Sequence, residues 1–187
     1  MPLPPPEERT LRAIGARRRS AGVPTTAEII RTLRALAAEA DSLVALFDAE
    51  AVAGERHLLS AWAHLGRARS RGESRLRDRG AEFALYVAGD DQLPRALAKV
   101  GVSDSTEHFV LVVEKPRELE TVLERFVLVA DPTVYPRPPT AGTLDRLAVS
   151  PEERAVVPSS AWEALVLERV ALVDLTAPAG RGPTAKH

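Results

Sequence analysis

Cysteine is absent from this 187-residue chain, and its absence excludes several functions at once. A disulfide scaffold, a cysteine-ligated zinc site and thiol catalysis all require a residue that the chain lacks. Apolar runs long enough to span a membrane, about 18 residues, are also missing, and the start of the chain has no signal-peptide pattern. The composition, 45% hydrophobic and 27% charged, excludes a fibrous or wholly disordered protein. We therefore expect a soluble, cytoplasmic protein of one domain.

The motifs of common catalytic and nucleotide-binding sites are missing as well. The chain has no Gly-x-x-x-x-Gly-Lys loop, no Gly-x-Ser-x-Gly turn, no His-Glu-x-x-His pair and no Gly-x-Gly-x-x-Gly after a strand. Its adjacent carboxylates, Asp90 with Asp91 and Glu152 with Glu153, are typical of helix caps and first-turn charges. We therefore expect no catalytic activity, no cofactor, no metal and no small-molecule substrate.

Positive charge is concentrated in one segment of a nearly neutral chain. The formal net charge is −1, which argues against a non-specific coat for nucleic acid. Residues 55–80 contain seven arginines against three acidic residues, whereas residues 81–174 contain nine basic and sixteen acidic residues. Such asymmetry is typical of one anion-facing patch on an otherwise acidic surface.

Composition and apolar periodicity divide the chain into an arm, a domain and a tail. We expect a flexible arm at 1–23, a single domain at 24–175 and a disordered tail at 176–187. Strands are predicted over 42–48, 83–88, 108–113 and 126–129. Helices are predicted from Thr25 or Thr26, over 55–71, from there to about 79, over about 90–100, from Pro116, around Leu144 and Leu147, and over 159–174. The predicted fold class is α/β (α+β), a compact domain with about four strands in a mixed or antiparallel sheet and about seven flanking helices.

The predicted helix over 55–71 carries a polar stripe beside its apolar one. Spacings of three and four residues place five polar side chains along one line, namely His57, Ser60, His64, Arg67 and Arg71. The two histidines stand about two turns, or ~10 Å, apart, which is too far for both to bind one zinc ion. Ala61 lies along the stripe and leaves room for a partner to approach the backbone. The pattern suits phosphates and stacked bases, and equally a partly solvated helix face.

Two further segments are candidates for binding a partner. Gly89 precedes a predicted helix N-terminus, where free N–H groups can hold an anion, but Asp90 or Asp91 is expected to cap them. Gln92 remains able to read the edge of a base. The last predicted helix is apolar over more than one face, which is typical either of deep burial or of a helix shared with a partner.

At these same residues the sequence resembles a known family. The segment 52–61, Val-Ala-Gly-Glu-Arg-His-Leu-Leu-Ser-Ala, is similar to the family's opening motif. Segments 82–89, Glu-Phe-Ala-Leu-Tyr-Val-Ala-Gly, and 165–172, Leu-Val-Leu-Glu-Arg-Val-Ala-Leu, match later motifs in the same order. The family is the kinase-binding and tRNA-binding small subunit of the KEOPS complex, in its archaeal form. The resemblance covers about residues 40–174.

The resemblance implies a non-catalytic function in tRNA modification. KEOPS makes threonylcarbamoyladenosine beside the anticodon of ANN-decoding tRNAs, and another subunit performs the transfer. The small subunit binds the single-stranded 3′ tail of tRNA and docks on the complex's atypical kinase. Carried over to this chain, the tail-binding positions are His57, Ser60, Ala61, His64, Arg67, Gly89 and Gln92. The kinase-docking positions are Leu165, Val166, Arg169 and Leu172.

The sequence departs from the family's pattern after Gly89. The family usually has Glu-Arg-Gln-Ile there, whereas this chain has an acid, Asp91, in the place of the cation. We add Arg71, from the polar stripe, and Arg75, as a replacement cation, to the predicted RNA-binding set. The alternative function is a protein-only adaptor that regulates the kinase allosterically without binding RNA.

Overall fold

A four-stranded antiparallel sheet lies at the centre of the molecule, with helices on both of its faces. The computed structural model describes residues 11–18, 25–115, 118–125 and 128–176. The strands are ordered β2-β3-β1-β4, and each neighbouring pair is antiparallel. Their bounds are Arg12–Arg18 for β1, Val44–Asp48 for β2, His108–Val113 for β3 and Leu128–Ala130 for β4. The predicted α+β fold is confirmed, with a wholly antiparallel sheet.

Eight α-helices are found among the described residues, one more than the number predicted. Two of them pack on one face of the sheet, α1 (Thr26–Ala40) and α5 (Glu118–Arg125). The others belong to the opposite side, and they are α2 (Glu55–Ser70), α3 (Arg79–Ala88), α4 (Leu93–Val100), α6 (Ala141–Arg146), α7 (Pro151–Ala155) and α8 (Trp162–Leu175). The candidate functional helices α2 and α8 therefore share one side of the sheet.

The sequence of β3 explains why the sheet is covered on both faces. Phe109, Leu111 and Val113 alternate with Val110 and Val112, and successive side chains of a strand point to opposite faces. The first three residues pack with α1 and α5, while the other two join the larger core formed with α2, α3 and α8. All five are fully buried, and each such side chain contributes roughly 1.5–3 kcal/mol to folding.

The segment 83–88, predicted as a strand, is helical, so that prediction is wrong. It belongs to α3, whose last seven residues are all buried because α2, α4, α8 and the sheet surround the helix. A helix enclosed on every side shows no 3.6-residue apolar period, and its sequence resembles that of a buried strand. The predicted short helix ending near Gly80 is also wrong, since α3 begins at Arg79 behind its N-cap Asp78.

The arm predicted at 1–23 is wrong for residues 12–18, which form β1 between β3 and β4. A Cβ on Gly15 would lie 2.5 Å from the carbonyl oxygen of Asp131, so only glycine fits where the strand meets that loop. Arg17 pairs with Asp131 at 3.5 Å, and Arg18 lies over the ring of Phe109 at 5.4 Å. Residues 1–10 and 19–23 of the predicted arm and 177–187 of the predicted tail lie outside the described residues.

The remaining predicted elements are found close to their expected places. Thr25 caps α1 by accepting the N–H of Glu28 at 3.3 Å. α4 ends before Gly101, as predicted, and α8 follows a single 3₁₀ turn at Ser159–Ala161. Strand β4 overlaps the predicted 126–129, although residues 126 and 127 lie outside the described part of the chain.

Candidate functional site

Helix α2 is anchored by apolar side chains against α3 and α8. Leu58, Ala61, Leu65 and Ala68 are buried along its inner side. The exposed residues of its outer side are Glu55, Arg56, Leu59, Ala63, Gly66, Arg67 and Ser70. The predicted polar stripe therefore begins inside the protein and reaches solvent only in the second half of the helix.

The N-terminus of α2 is completed by an acid from α8. Gly54 is the N-cap residue and has φ +130°, a conformation that disfavours any side chain. With no side chain at the cap, Oε1 of Glu163 accepts the N–H of His57 at 3.3 Å. A Cβ on Gly54 would lie 2.8 Å from that same oxygen. The Val-Ala-Gly motif thus allows α8 to supply the negative charge that a helix N-terminus favours.

His57 is a buried structural residue, so its prediction as an RNA-binding residue is wrong. Its side chain is 0% exposed; Nδ1 accepts the N–H of Ala53 at 3.1 Å and Nε2 donates to the carbonyl of Val87 at 2.9 Å. Burial lowers its pKa to about 4, despite the hydrogen bond to Val87, so the ring is neutral at physiological pH. Ala61, also 0% exposed, is likewise unable to contact RNA.

His64 joins α2 to the last turn of α8. Its Nδ1 donates to Oδ2 of Asp174 at 2.6 Å, and its ring stacks on Tyr86 with centroids 5.9 Å apart. The Tyr86 hydroxyl donates to the other oxygen of Asp174 at 2.9 Å. Burial alone would raise the pKa of Asp174, but the hydrogen bonds from His64 and Tyr86 outweigh it and lower that pKa. Only 15% of the His64 side chain is exposed, so its ring forms the inner edge of any surface beside it.

The three arginines of the predicted RNA-binding set differ in whether their guanidinium groups already have a partner within the protein. Arg67 is exposed, and its guanidinium makes no hydrogen bond or ion pair with any described residue, acting on Asp174 only at longer range. Arg71 is half-exposed and pairs with Glu73 at 2.8 Å. The Arg75 guanidinium donates to the carbonyl of Val173 at the end of α8, so its positive charge already stabilises the C-terminus of that helix. Ser60 is half-buried.

A buried carboxylate shapes the loop between α2 and α3. Glu82, 0% exposed, accepts hydrogen bonds from the Arg69 guanidinium at 2.5 Å, the Ser74 hydroxyl at 2.8 Å and the Arg75 N–H at 2.7 Å. A buried charge is tolerated when it is paired and its oxygens are satisfied. These bonds hold the loop so that Arg75 reaches the C-terminus of α8.

The turn from α3 to α4 offers little to an anion. Gly89 ends α3 with φ +59°, and a Cβ there would lie 2.7 Å from Cβ of Arg169, so its glycine permits close packing on α8. Burial alone would raise the pKa of Asp90, but hydrogen bonds from Arg95, the Gln92 N–H and Lys99 lower it to about 2. Gln92 is exposed, with no side-chain cap on α4. Asp90 therefore already pairs with the cations of this turn, Arg95 and Lys99.

Helix α8 is buried on one side and apolar on its exposed side. Val166, Val170 and Val173 face the core, so the prediction of Val166 as a kinase-docking residue is wrong. Leu172 is 45% exposed and Leu175 is 78% exposed. The further predicted docking residues are less available, since Leu165 is half-buried against the core and Arg169 pairs with Glu153 at 2.5 Å.

Tyr86, Asp174 and Leu175 are absent from the set of residues predicted to be functional. Asp174 interrupts an otherwise apolar run at the end of α8, and a carboxylate in such a run indicates a specific partner. A contact between Tyr86 and α8 could not be predicted, because the segment 83–88 was interpreted as a strand and not as part of α3. Leu175 lies next to the predicted tail and was assigned no role.

Comparison with known families identifies the chain. A family model described as "Kinase binding protein CGI-121" matches residues 21–132, more than half of the sequence. The chain belongs to the CGI-121 family of kinase-binding proteins. No curated protein matches the sequence.

The CGI-121 match runs from before α1 to beyond β4, so it includes every predicted RNA-binding residue. It ends before α6, so α8 and its exposed leucines lie beyond the matched region. Within the described ranges, no three His, Asp or Glu residues cluster as a metal site would require. No helix in the part of the chain that the structure describes is long and apolar enough to cross a membrane.

Proposed function

We propose that this protein is a non-catalytic subunit of a KEOPS complex that binds the 3′ tail of tRNA and docks on the complex's atypical kinase. In this function it supports threonylcarbamoyladenosine modification of tRNA in the cytoplasm. Membership of a kinase-binding family supports the kinase half of the proposal. The RNA half rests on what the second half of α2 exposes.

One observation carries the RNA proposal, namely that the Arg67 guanidinium is exposed and pairs with none of the residues that the structure describes. Beside it, Gly66 is exposed, and among the described residues no atom lies within 4 Å of the position of a Cβ; Ser70 is exposed one turn later. We call His64, Gly66, Arg67, Ser70 and Arg71 the Arg67 surface. Small residues let an RNA strand approach the helix backbone while the guanidinium contacts a phosphate. Tyr86 and His64 already stack on one another at its inner edge.

The kinase proposal rests on the exposed side of α8. Leu172 and Leu175 lie three residues apart and hence on one side of the helix. Ala171, also exposed, lies on the same side one turn before Leu175. Apolar side chains that a helix leaves exposed while its other side is buried are typical of a docking face.

One observation favours the alternative, a protein-only adaptor. Asp90 and Asp91 occupy Arg95 with ion pairs of 2.9 Å, and Asp90 also pairs with Lys99 at 3.1 Å. The cations of α4 are therefore neutralised within the protein. Under this alternative, α8 still binds the kinase, and the Arg67 surface binds no RNA.

A titration with tRNA separates the two functions. The isolated protein is titrated with fluorescently labelled tRNA and with the same tRNA lacking its terminal single-stranded nucleotides. The proposal predicts that removal of the tail abolishes most of the binding. It also predicts that affinity falls with salt, with each contacted phosphate adding about 0.7 to the slope of log K against log salt concentration.

Arg67→Ala tests the surface itself, with Arg34→Ala as its matched control. Arg34 is an exposed arginine on α1, which packs on the opposite face of the sheet. We expect Arg67→Ala to weaken binding and to lower the salt slope by about 0.7, while Arg34→Ala has no effect. Equal affinity for intact and tail-less tRNA would reject this mode of RNA binding and leave the protein-only adaptor.

A further inference from the structure

Asp174 places a negative charge at the inner edge of the Arg67 surface. Its oxygens accept hydrogen bonds from His64 at 2.6 Å and from Tyr86 at 2.9 Å, and 23% of its side chain is exposed. Arg67 also interacts with this carboxylate electrostatically. The guanidinium of Arg75, which contributes positive charge nearby, is bound to the carbonyl of the preceding residue, Val173.

An RNA phosphate bound at this surface would compete with Asp174 for the same groups. His64 Nδ1 carries its proton toward the carboxylate, so that donor is not available to a phosphate while the contact lasts. The carboxylate also repels a phosphate beside Arg67, and it opposes part of the attraction exerted by that arginine. Asp174 therefore places a negative charge of the protein itself in a site that is proposed to bind a negatively charged phosphate.

We propose that Asp174 limits the affinity of the Arg67 surface for the phosphates of an RNA tail, and that binding of the tail displaces the His64–Asp174 contact. The inference rests on the proposed RNA-binding function and assigns its regulation to α8. Because Asp174 lies in the last turn of α8, between the exposed Leu172 and Leu175, the residue that restrains RNA binding belongs to the proposed kinase-docking helix. The two proposed surfaces therefore both draw on residues of the last turn of α8.

The test compares Asp174→Asn with a control that removes the same charge elsewhere on α8. Asparagine keeps the shape of the side chain and can still accept the Tyr86 hydroxyl. Glu168→Gln is the matched control, since Glu168 is an exposed acid of the same helix on a different side from Asp174. The probe is a single-stranded RNA with the sequence of a tRNA 3′ tail. We expect Asp174→Asn to bind it about three- to tenfold more tightly than the wild type, while Glu168→Gln binds it unchanged.

A second measurement uses the wild-type protein and does not depend on how well the variant folds. The chain has only four histidines, so the ring nitrogens of His64 can be assigned by NMR with a His64→Gln spectrum as reference. We expect the chemical shift of His64 Nδ1 to change when the tail RNA is added, because the strong hydrogen bond to Asp174 is broken. An unchanged signal at saturating RNA would overturn the inference.

Two failures are distinguishable. If Arg67→Ala does not weaken binding of the tail RNA, the RNA-binding function itself is rejected. If Arg67→Ala weakens binding but Asp174→Asn does not strengthen it relative to Glu168→Gln, the function stands and the restraint by Asp174 is rejected.

Discussion

Burial of His57 predicts that the protein loses stability in mild acid. In the folded protein its pKa is about 4, against about 6.5 for a solvated histidine. Between these values the unfolded chain binds a proton that the folded chain does not, so the free energy of unfolding falls as pH falls. Well above pH 6.5 the residue makes no difference, and the loss grows as pH falls through this interval to about pH 4.

The magnitude follows from the two pKa values. Between pH 7.5 and pH 4.5, His57 should reduce the free energy of unfolding by about 2.5 kcal/mol. The assay is urea unfolding followed by circular dichroism at several pH values, for the wild type and for His57→Gln. The contributions of all other titrating groups are common to both proteins, so the difference between the two curves isolates this histidine.

His108→Gln is the control, because His108 is an exposed histidine at the start of β3. We expect its unfolding free energy to follow that of the wild type across the pH range. A direct NMR titration of the His57 ring provides a second readout that needs no variant. Parallel pH curves for wild type and His57→Gln, or a ring that titrates near pH 6.5, would refute the reasoning.

Two further predictions concern residues that hold the elements around the Arg67 surface. Glu82→Gln should reduce the free energy of unfolding by about 3 kcal/mol, because it leaves Arg69 without its buried partner. Glu73→Gln, on the same loop but exposed, should change it by less than about 0.5 kcal/mol. Urea unfolding measures both free energies, and similar effects of the two variants would contradict a structural role for Glu82. Gly54→Ala should reduce the free energy of unfolding by about 1–3 kcal/mol, because the φ angle there is strained for alanine and the new Cβ meets Glu163. Gly66→Ala, at an exposed helical position, should leave that free energy unchanged or raise it by up to about 1 kcal/mol. Equal melting temperatures for the two glycine variants would contradict this account of the Val-Ala-Gly motif.

The sequence identified the elements whose neighbours are local in the chain. The strand at 108–113 and the capped helix from Thr25 could be predicted because β-branched residues and a capping box act over a few residues. Strand β1 could not, because its residues are small or charged and it forms only through pairing with β3 and β4. Its arginines find their partners, Asp131 and Phe109, about 90 or more residues further along the chain.

The candidate site was predicted in part for the same reason. The spacing of the α2 residues correctly places Arg67 and Arg71 in solvent, because they lie opposite the apolar stripe. His57 has the same spacing, but the turn at Ala53 and the end of α3 enclose it. The acids that complete the site, Glu163 and Asp174, lie 106 and 110 residues along the chain from the residues they contact, and no local pattern indicates which side chains they meet.

A bridging experiment tests the central claim, that separate surfaces bind RNA and kinase. Immobilised kinase subunit is incubated with this protein and labelled tRNA, and the retained protein and tRNA are measured together. Arg67→Glu should keep the protein on the kinase and lose the tRNA. Leu172→Arg with Leu175→Arg should lose both, while Leu97→Arg, at a leucine of α4 that is as exposed as Leu172, should lose neither. Undiminished tRNA retention with Arg67→Glu, or undiminished kinase binding with the leucine variant, would contradict the account.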